Sequence, residues 1–201
     1  MSWFAEQSVV LQAFLAGLFT WTCTIIGSGI VFFFKNVSRK LLDTMQGFAA
    51  GVMIAASFWS LLAPSISYAE PIYGSWSWVP AAVGFLLGGY FLRFIDAIIP
   101  HLHLGHDIAK AEGGSKEERK KLSKTALLFL AITIHNIPEG LAVGVTFGAL
   151  ANNFSQAAYV GALGLALGIG LQNIPEGSAL SIPIRTDGKT RQQAFFWGAM
   201  S

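Results

Sequence analysis

Along this chain the hydrophobic positions neither alternate at the period of a strand nor mark one stripe of a surface helix. They come in long blocks covering residues 8–34, 41–63, 76–99, 123–149 and 157–183, separated by short polar stretches. In water such blocks would expose large apolar patches; in lipid each is long enough to cross the roughly 30 Å hydrocarbon core as a helix. The pattern predicts an all-α, polytopic membrane bundle with five complete spans. From Gln192 to Ser201 a sixth apolar run begins that is too short to span a bilayer, so the protein is expected to continue beyond Ser201. The first block follows Met-Ser-Trp-Phe-Ala-Glu, with no basic n-region, and exceeds the apolar core of a cleaved signal peptide. It is expected to stay in place as a membrane helix.

Charge adds an orientation. Only 12% of the 201 residues are charged, against about 25% in soluble domains. The first connection carries Lys35, Arg39 and Lys40; the third carries Lys110, Lys116, Arg119, Lys120, Lys121 and Lys124; the fifth carries Arg185, Lys189 and Arg191. The second and fourth carry no Lys or Arg. The positive-inside rule then makes the odd connections cytoplasmic and puts the N-terminus outside; the expected location is the cell (inner) membrane. Residues 1–201 read as one transmembrane domain, with 100–122 a cytoplasmic His-containing loop. Arg93 lies three positions before Asp96, on one helix face, where a structural ion pair is expected. A net charge of +2, with no basic and aromatic stripe, excludes a nucleic-acid partner. The one cysteine, Cys23, cannot form an intramolecular disulfide and reads as a small buried residue.

The chemistry sits in a repeat. Ile134-His135-Asn136-Ile137-Pro138-Glu139-Gly140 and Leu171-Gln172-Asn173-Ile174-Pro175-Glu176-Gly177 each lie inside a long apolar block. A carboxylate at that depth costs about 2.5–3.5 kcal/mol, which packing alone gives no reason to spend twice. On a helix, positions i and i+4 share a face, so His135 stacks over Glu139 and Gln172 over Glu176, with Asn136 and Asn173 one residue round. If the two helices face each other, six N and O donors converge. Pro138 and Pro175 remove the bonds to the carbonyls of residues 134 and 171 and are expected to break the helices there. Gly140, Gly144 and Gly148, with Gly164 and Gly168, are expected to let these helices approach closely, and Gly84 and Gly88 to do the same in the third span. Imidazole, carboxylate and amide oxygen together suit zinc, iron(II), manganese or cobalt; the lack of convergent thiols argues against copper(I). Two glutamates also leave room for two ions. The loop from His101 offers a weaker auxiliary set, His101, His103, His106 and Asp107, all acceptable zinc ligands.

At these residues the chain resembles the ZIP (Zrt/Irt-like protein) family of metal transporters, in particular its GufA-like branch. His-Asn-Ile-Pro-Glu-Gly at 135–140, Gln-Asn-Ile-Pro-Glu-Gly at 172–177, the His-bearing loop and Gly-Phe-Ala-Ala-Gly-Val-Met-Ile-Ala-Ala-Ser-Phe-Trp-Ser-Leu at 47–61 carry the resemblance, which extends over essentially the whole chain. It implies eight membrane helices, a homodimer, an elevator-like moving part, no cofactor, and transport of a divalent metal, zinc first, toward the cytosol. It implies that His135, Glu139, Gln172 and Glu176 hold one ion, and that Asn136 and Asn173 help the glutamates hold another. Many members have aspartate where this chain has Asn173. Two other readings compete: a passive channel for the same ions, and an intramembrane metalloenzyme with Glu139 as general base. The enzyme would call for a His-Glu-x-x-His motif or a third firm zinc ligand, and neither is present.

Overall fold

A computed structural model describes residues 2–34, 38–102 and 108–201. Among them nine α-helices follow one another: α1 (Ser2–Ala5), α2 (Val9–Gly29), α3 (Arg39–Ala56), α4 (Ala63–Tyr73), α5 (Trp78–Ile98), α6 (Lys116–Lys121), α7 (Lys124–Ala149), α8 (Gln156–Thr186) and α9 (Arg191–Ala199). Five segments are long and apolar enough to cross a membrane: Val9–Phe32, Lys40–Trp76, Trp78–Ile98, Lys124–Ala149 and Gln156–Thr186. The expected helical membrane bundle is what the chain forms.

Small hydroxyl side chains start the helices where the apolar blocks begin. Ser8, Ser38, Ser123 and Ser155 each accept a hydrogen bond from a backbone N–H in the first turn of α2, α3, α7 and α8. Thr190 and Gln193 form a reciprocal capping box on α9. The second span runs well past residue 63, where the sequence pattern ended it. Pro64, Ser65 and Ser67 look like a boundary, yet the chain bridges them with a π-helical turn at Ser57–Leu62 before α4. The ring of Pro64 cannot fit, or donate to, the carbonyl four residues back. The wider turn absorbs that misfit, with the Ala63 N–H reaching the Phe58 carbonyl instead. At the α4–α5 turn, exposed Tyr73, Trp76 and Trp78 form the aromatic edge expected at a membrane–water interface.

Helix α8 is the hub. It lies against α2 along most of its length and also touches α3, α7 and α9. One core, at the end bearing the odd connections, joins Val31, Leu102, Leu127, Leu128, Leu180, Ile184 and Ala194. Lys124 and Asp187 pair at 2.9 Å across that same end. The other core holds Ala16, Val143, Phe147, Leu150, Ala162, Leu165, Ala166 and Ile169. The two motif copies lie in the layer between these cores.

Two sequence expectations about backbone fail. Helices α7 and α8 run unbroken through Pro138 and Pro175; a proline costs one internal bond, and packing against neighbours is enough to keep the axis. The glycines at 140, 144, 148 and 164, and those at 84 and 88, have open space where a Cβ would stand; of the set, only Gly168 meets a neighbour, Val52 at 3.3 Å. The close approaches are made by other glycines. A Cβ on Gly27 would strike the Ile174 carbonyl, one on Gly177 would strike the Thr24 carbonyl and Ser28, and one on Gly198 would meet Ser28 Oγ at 2.7 Å. The small-residue contact therefore joins α8 to α2 and α9. Arg93 and Asp96 do pair, at 3.3 Å, and Cys23 is buried at the α2–α8 contact.

Candidate metal site

The α7 copy of the motif points its carboxylate into the protein. Glu139 is buried, and Glu176 on α8 is half-buried. Gln172, wholly buried, reaches across from α8 and donates its amide N–H to Glu139 Oε1, tying the two copies together. Glu176 and His135 each lie near enough to Glu139 for their charges to act on it. The His135 ring is exposed on α7, with Nδ1 2.7 Å from the Ala131 carbonyl. Donating there fixes the tautomer and leaves the Nε2 lone pair available, the arrangement that orients a ligating histidine.

Asn173 Nδ2 donates to the Thr20 carbonyl of α2 at 3.1 Å. That anchor could not be read from the sequence, because its acceptor is a backbone oxygen on a distant helix. What it leaves matters more. Asn136 Oδ1, Glu139 Oε2, Gln172 Oε1, Asn173 Oδ1 and Glu176 Oε2 are all buried without a hydrogen-bond partner. An unsatisfied buried polar atom costs about 1–3 kcal/mol, and such atoms are sparse in ordinary cores. Five oxygens from two repeated segments are thus left with acceptor capacity that a cation could use. The Gln172 amide bond is the one direct hydrogen bond between the two copies among the described residues, and it joins two of the six expected donors.

A cavity of 440 Å³ reaches the layer from the basic end. It is lined by Gln46, Met53, Ala131, His135, Glu176 and Ala179, among others. A larger one, 590 Å³, lies at the opposite end between α4, α7 and α8, among residues such as Trp59, Tyr68, Thr146 and Gly161; no motif residue lines it. The motif gave no hint that α3 contributes Gln46 and Met53, since neither lies near it in sequence.

Of the auxiliary candidates, His101 is the one among the described residues. His101 is buried just past the end of α5, with Nε2 2.9 Å from Asp96 Oδ1. His103, His106 and Asp107 lie outside the described residues.

No protein-family model matches the chain. Curated proteins do match. Zinc transporter ZIP11 of Xenopus tropicalis is 40% identical over an alignment taking in 96% of this chain and 77% of that protein. Zinc transporter ZIP11 of Homo sapiens is 37% identical, over 97% of this chain and 78% of its own length. Zinc transporter GufA of Myxococcus xanthus is 37% identical over 90% of this chain and 67% of that protein. This chain belongs to the ZIP family. As a ZIP protein it is an integral membrane metal transporter with a GufA-type relative, and it is not an enzyme; the metalloenzyme reading falls away. The ZIP resemblance drawn from the two Pro-Glu-Gly copies is thereby supported over nearly the whole chain, well beyond those short motifs.

Proposed function

We propose that the protein carries zinc or a closely related divalent transition metal toward the cytosol, binding it between α7 and α8. His135, Glu139, Gln172 and Glu176 hold one ion, and Asn136 and Asn173 help the two glutamates hold a second. The observation that carries the reading is the set of five buried, unpartnered oxygens contributed by both motif copies. Imidazole from His135 makes the set a zinc-class site, since an all-oxygen magnesium or calcium cage has no use for it. The relatives' names, zinc transporters throughout, support the choice of ion.

The basic connections make the 440 Å³ cavity cytoplasmic and the N-terminus external, so His135 and Glu176 line the inward path. The opposite cavity ends among residues outside the motif, as a carrier open to one side requires. A channel would join both cavities through the layer. We also infer a homodimer in the cell membrane, as the family resemblance implies.

The deciding experiment is uptake into proteoliposomes across a panel of divalent ions. Zinc uptake should saturate, and Glu139→Ala and Glu176→Ala should each abolish it while the protein stays in the membrane. Normal uptake by both variants would remove the site from this account; uptake linear in zinc concentration would favour a channel. Replacing His101, His103 and His106 together should alter rate or regulation without eliminating transport.

A further inference from the structure

We propose that Gln46 on α3 is a relay ligand on the cytosolic path: its amide oxygen takes the ion as it leaves His135 and Glu176, and its lack of charge keeps release fast. The proposal rests on transport through the α7–α8 layer and adds a third helix to it.

In sequence Gln46 is the last polar side chain before the apolar run at 47–56, and it lies within the span Lys40–Trp76. Polar groups inside a span are costly unless they face protein partners or a water-filled cavity. Gln46 faces a cavity. With Ala50 and Met53, which follow on the same helix face, it lines the 440 Å³ space that His135 and Glu176 also line. Its side chain is exposed, and among the described residues no hydrogen bond holds it. The amide is therefore free to turn its oxygen toward the cavity.

Helix geometry gives the order along the path. Helices α3 and α7 start at the basic end, and α8 finishes there. Gln46 lies about two turns inside α3, while His135 and Glu176 lie about three turns inside α7 and α8. Gln46 thus stands roughly one turn, about 5 Å, nearer the cytosol than these two motif ligands. At its own level the other lining residues, Ala131, Ile132 and Ala179, offer only hydrocarbon.

An ion that leaves a carboxylate and an imidazole must exchange those donors for others. The cavity has room for water, at about 30 Å³ per molecule, and Gln46 supplies the one side-chain oxygen among the residues lining that level. Passage requires each position to bind strongly enough to receive the ion and weakly enough to give it up. An amide oxygen meets both conditions, since it accepts well but brings no negative charge. A carboxylate at the same point would trap the ion; a hydrocarbon side chain would leave a gap.

The test compares three substitutions, by zinc uptake into proteoliposomes and by calorimetric titration of the purified protein in detergent. Gln46→Leu should keep zinc affinity while lowering the maximal uptake rate about tenfold, the worth of one polar contact to a charged group. Gln46→Asn keeps an amide oxygen and should lose less rate than Gln46→Leu. A purely packing role predicts the reverse order, because asparagine removes volume that leucine retains. Gln46→Glu should bind zinc more tightly and yet carry it more slowly. Gln46 is exposed, so none of the three endangers folding. A leucine variant as fast as the parent, an asparagine variant slower than the leucine one, or a glutamate variant that binds no tighter would overturn the proposal and leave the motif layer in place. Uptake that survives both Glu139→Ala and Glu176→Ala would overturn the transport reading and the relay with it.

Discussion

Gly140 and Gly177 occupy the same place in the two Pro-Glu-Gly copies, yet the structure predicts opposite responses to one added methyl group. At Gly177 a Cβ would collide with the Thr24 carbonyl and stand 2.8 Å from Ser28 Oγ and 2.9 Å from Ser28 N. Two of those atoms are backbone of α2, which is itself packed along α8, so nothing nearby can give way cheaply. Overpacking of this kind costs about 1–3 kcal/mol. Alanine's better helix propensity returns up to about 1 kcal/mol, so at the middle of those ranges Gly177→Ala should be destabilised by about 1–2 kcal/mol. At a loss of about 2–4 °C per kcal/mol for a chain of this size, Tm should fall by roughly 2–8 °C. At Gly140 a Cβ meets no atom within 4 Å. Only the propensity gain remains, and Gly140→Ala should be neutral or raise Tm by up to about 4 °C. The chain supplies its own reporter. Cys23 is the single cysteine, is buried, and faces α8 beside Gly170. A thiol-reactive fluorogenic dye added to protein in detergent therefore reads the opening of the α2–α8 contact itself. Equal shifts for the two variants, or a greater loss at Gly140, would show that α2 is not the helix against which α8 is clamped.

Three further outcomes follow from the site. Gln172→Ala should strand Glu139 Oε1 without its donor, costing about 1–3 kcal/mol of stability and weakening zinc binding by at least about tenfold; unchanged calorimetric affinity would deny Gln172 any part in the site. Asn173→Asp should lose the bond to the Thr20 carbonyl and lower the metal-free Tm, while the added charge makes the zinc-induced rise in Tm larger than in the parent chain; a smaller rise would speak against a second ion beside Asn173. Ligating carboxylates and imidazole must be free of protons, so zinc binding should release protons and apparent affinity should weaken as pH falls. Titration in buffers of different ionisation enthalpy measures the release, and affinity flat from mildly alkaline to mildly acidic pH would contradict it.

Sequence alone determined the number of spans and where each begins, and it marked the two motif copies, but it ended the second span too early. Apolar runs set the spans because lipid admits only backbones that satisfy their own hydrogen bonds. Buried glutamates in two copies marked the layer because no packing argument explains them. Its failures share a cause. Helical spacing tells which residues share a face, and says nothing of which neighbour that face meets. Thus Gly140, Gly144 and Gly148 look like packing glycines and lie open, while Gly27, Gly177 and Gly198 make the tight contacts. Prolines 64, 138 and 175 look like breaks and are carried within helical chain, because neighbouring helices and a widened turn absorb what each one loses. Asp96 looked like nothing more than the partner of Arg93, yet it also meets His101 at 2.9 Å. That part of the loop is held by a backbone bridge at His101 and by Gly113 at positive φ, and a chain return of that kind exists only once the loop has folded against the end of α5.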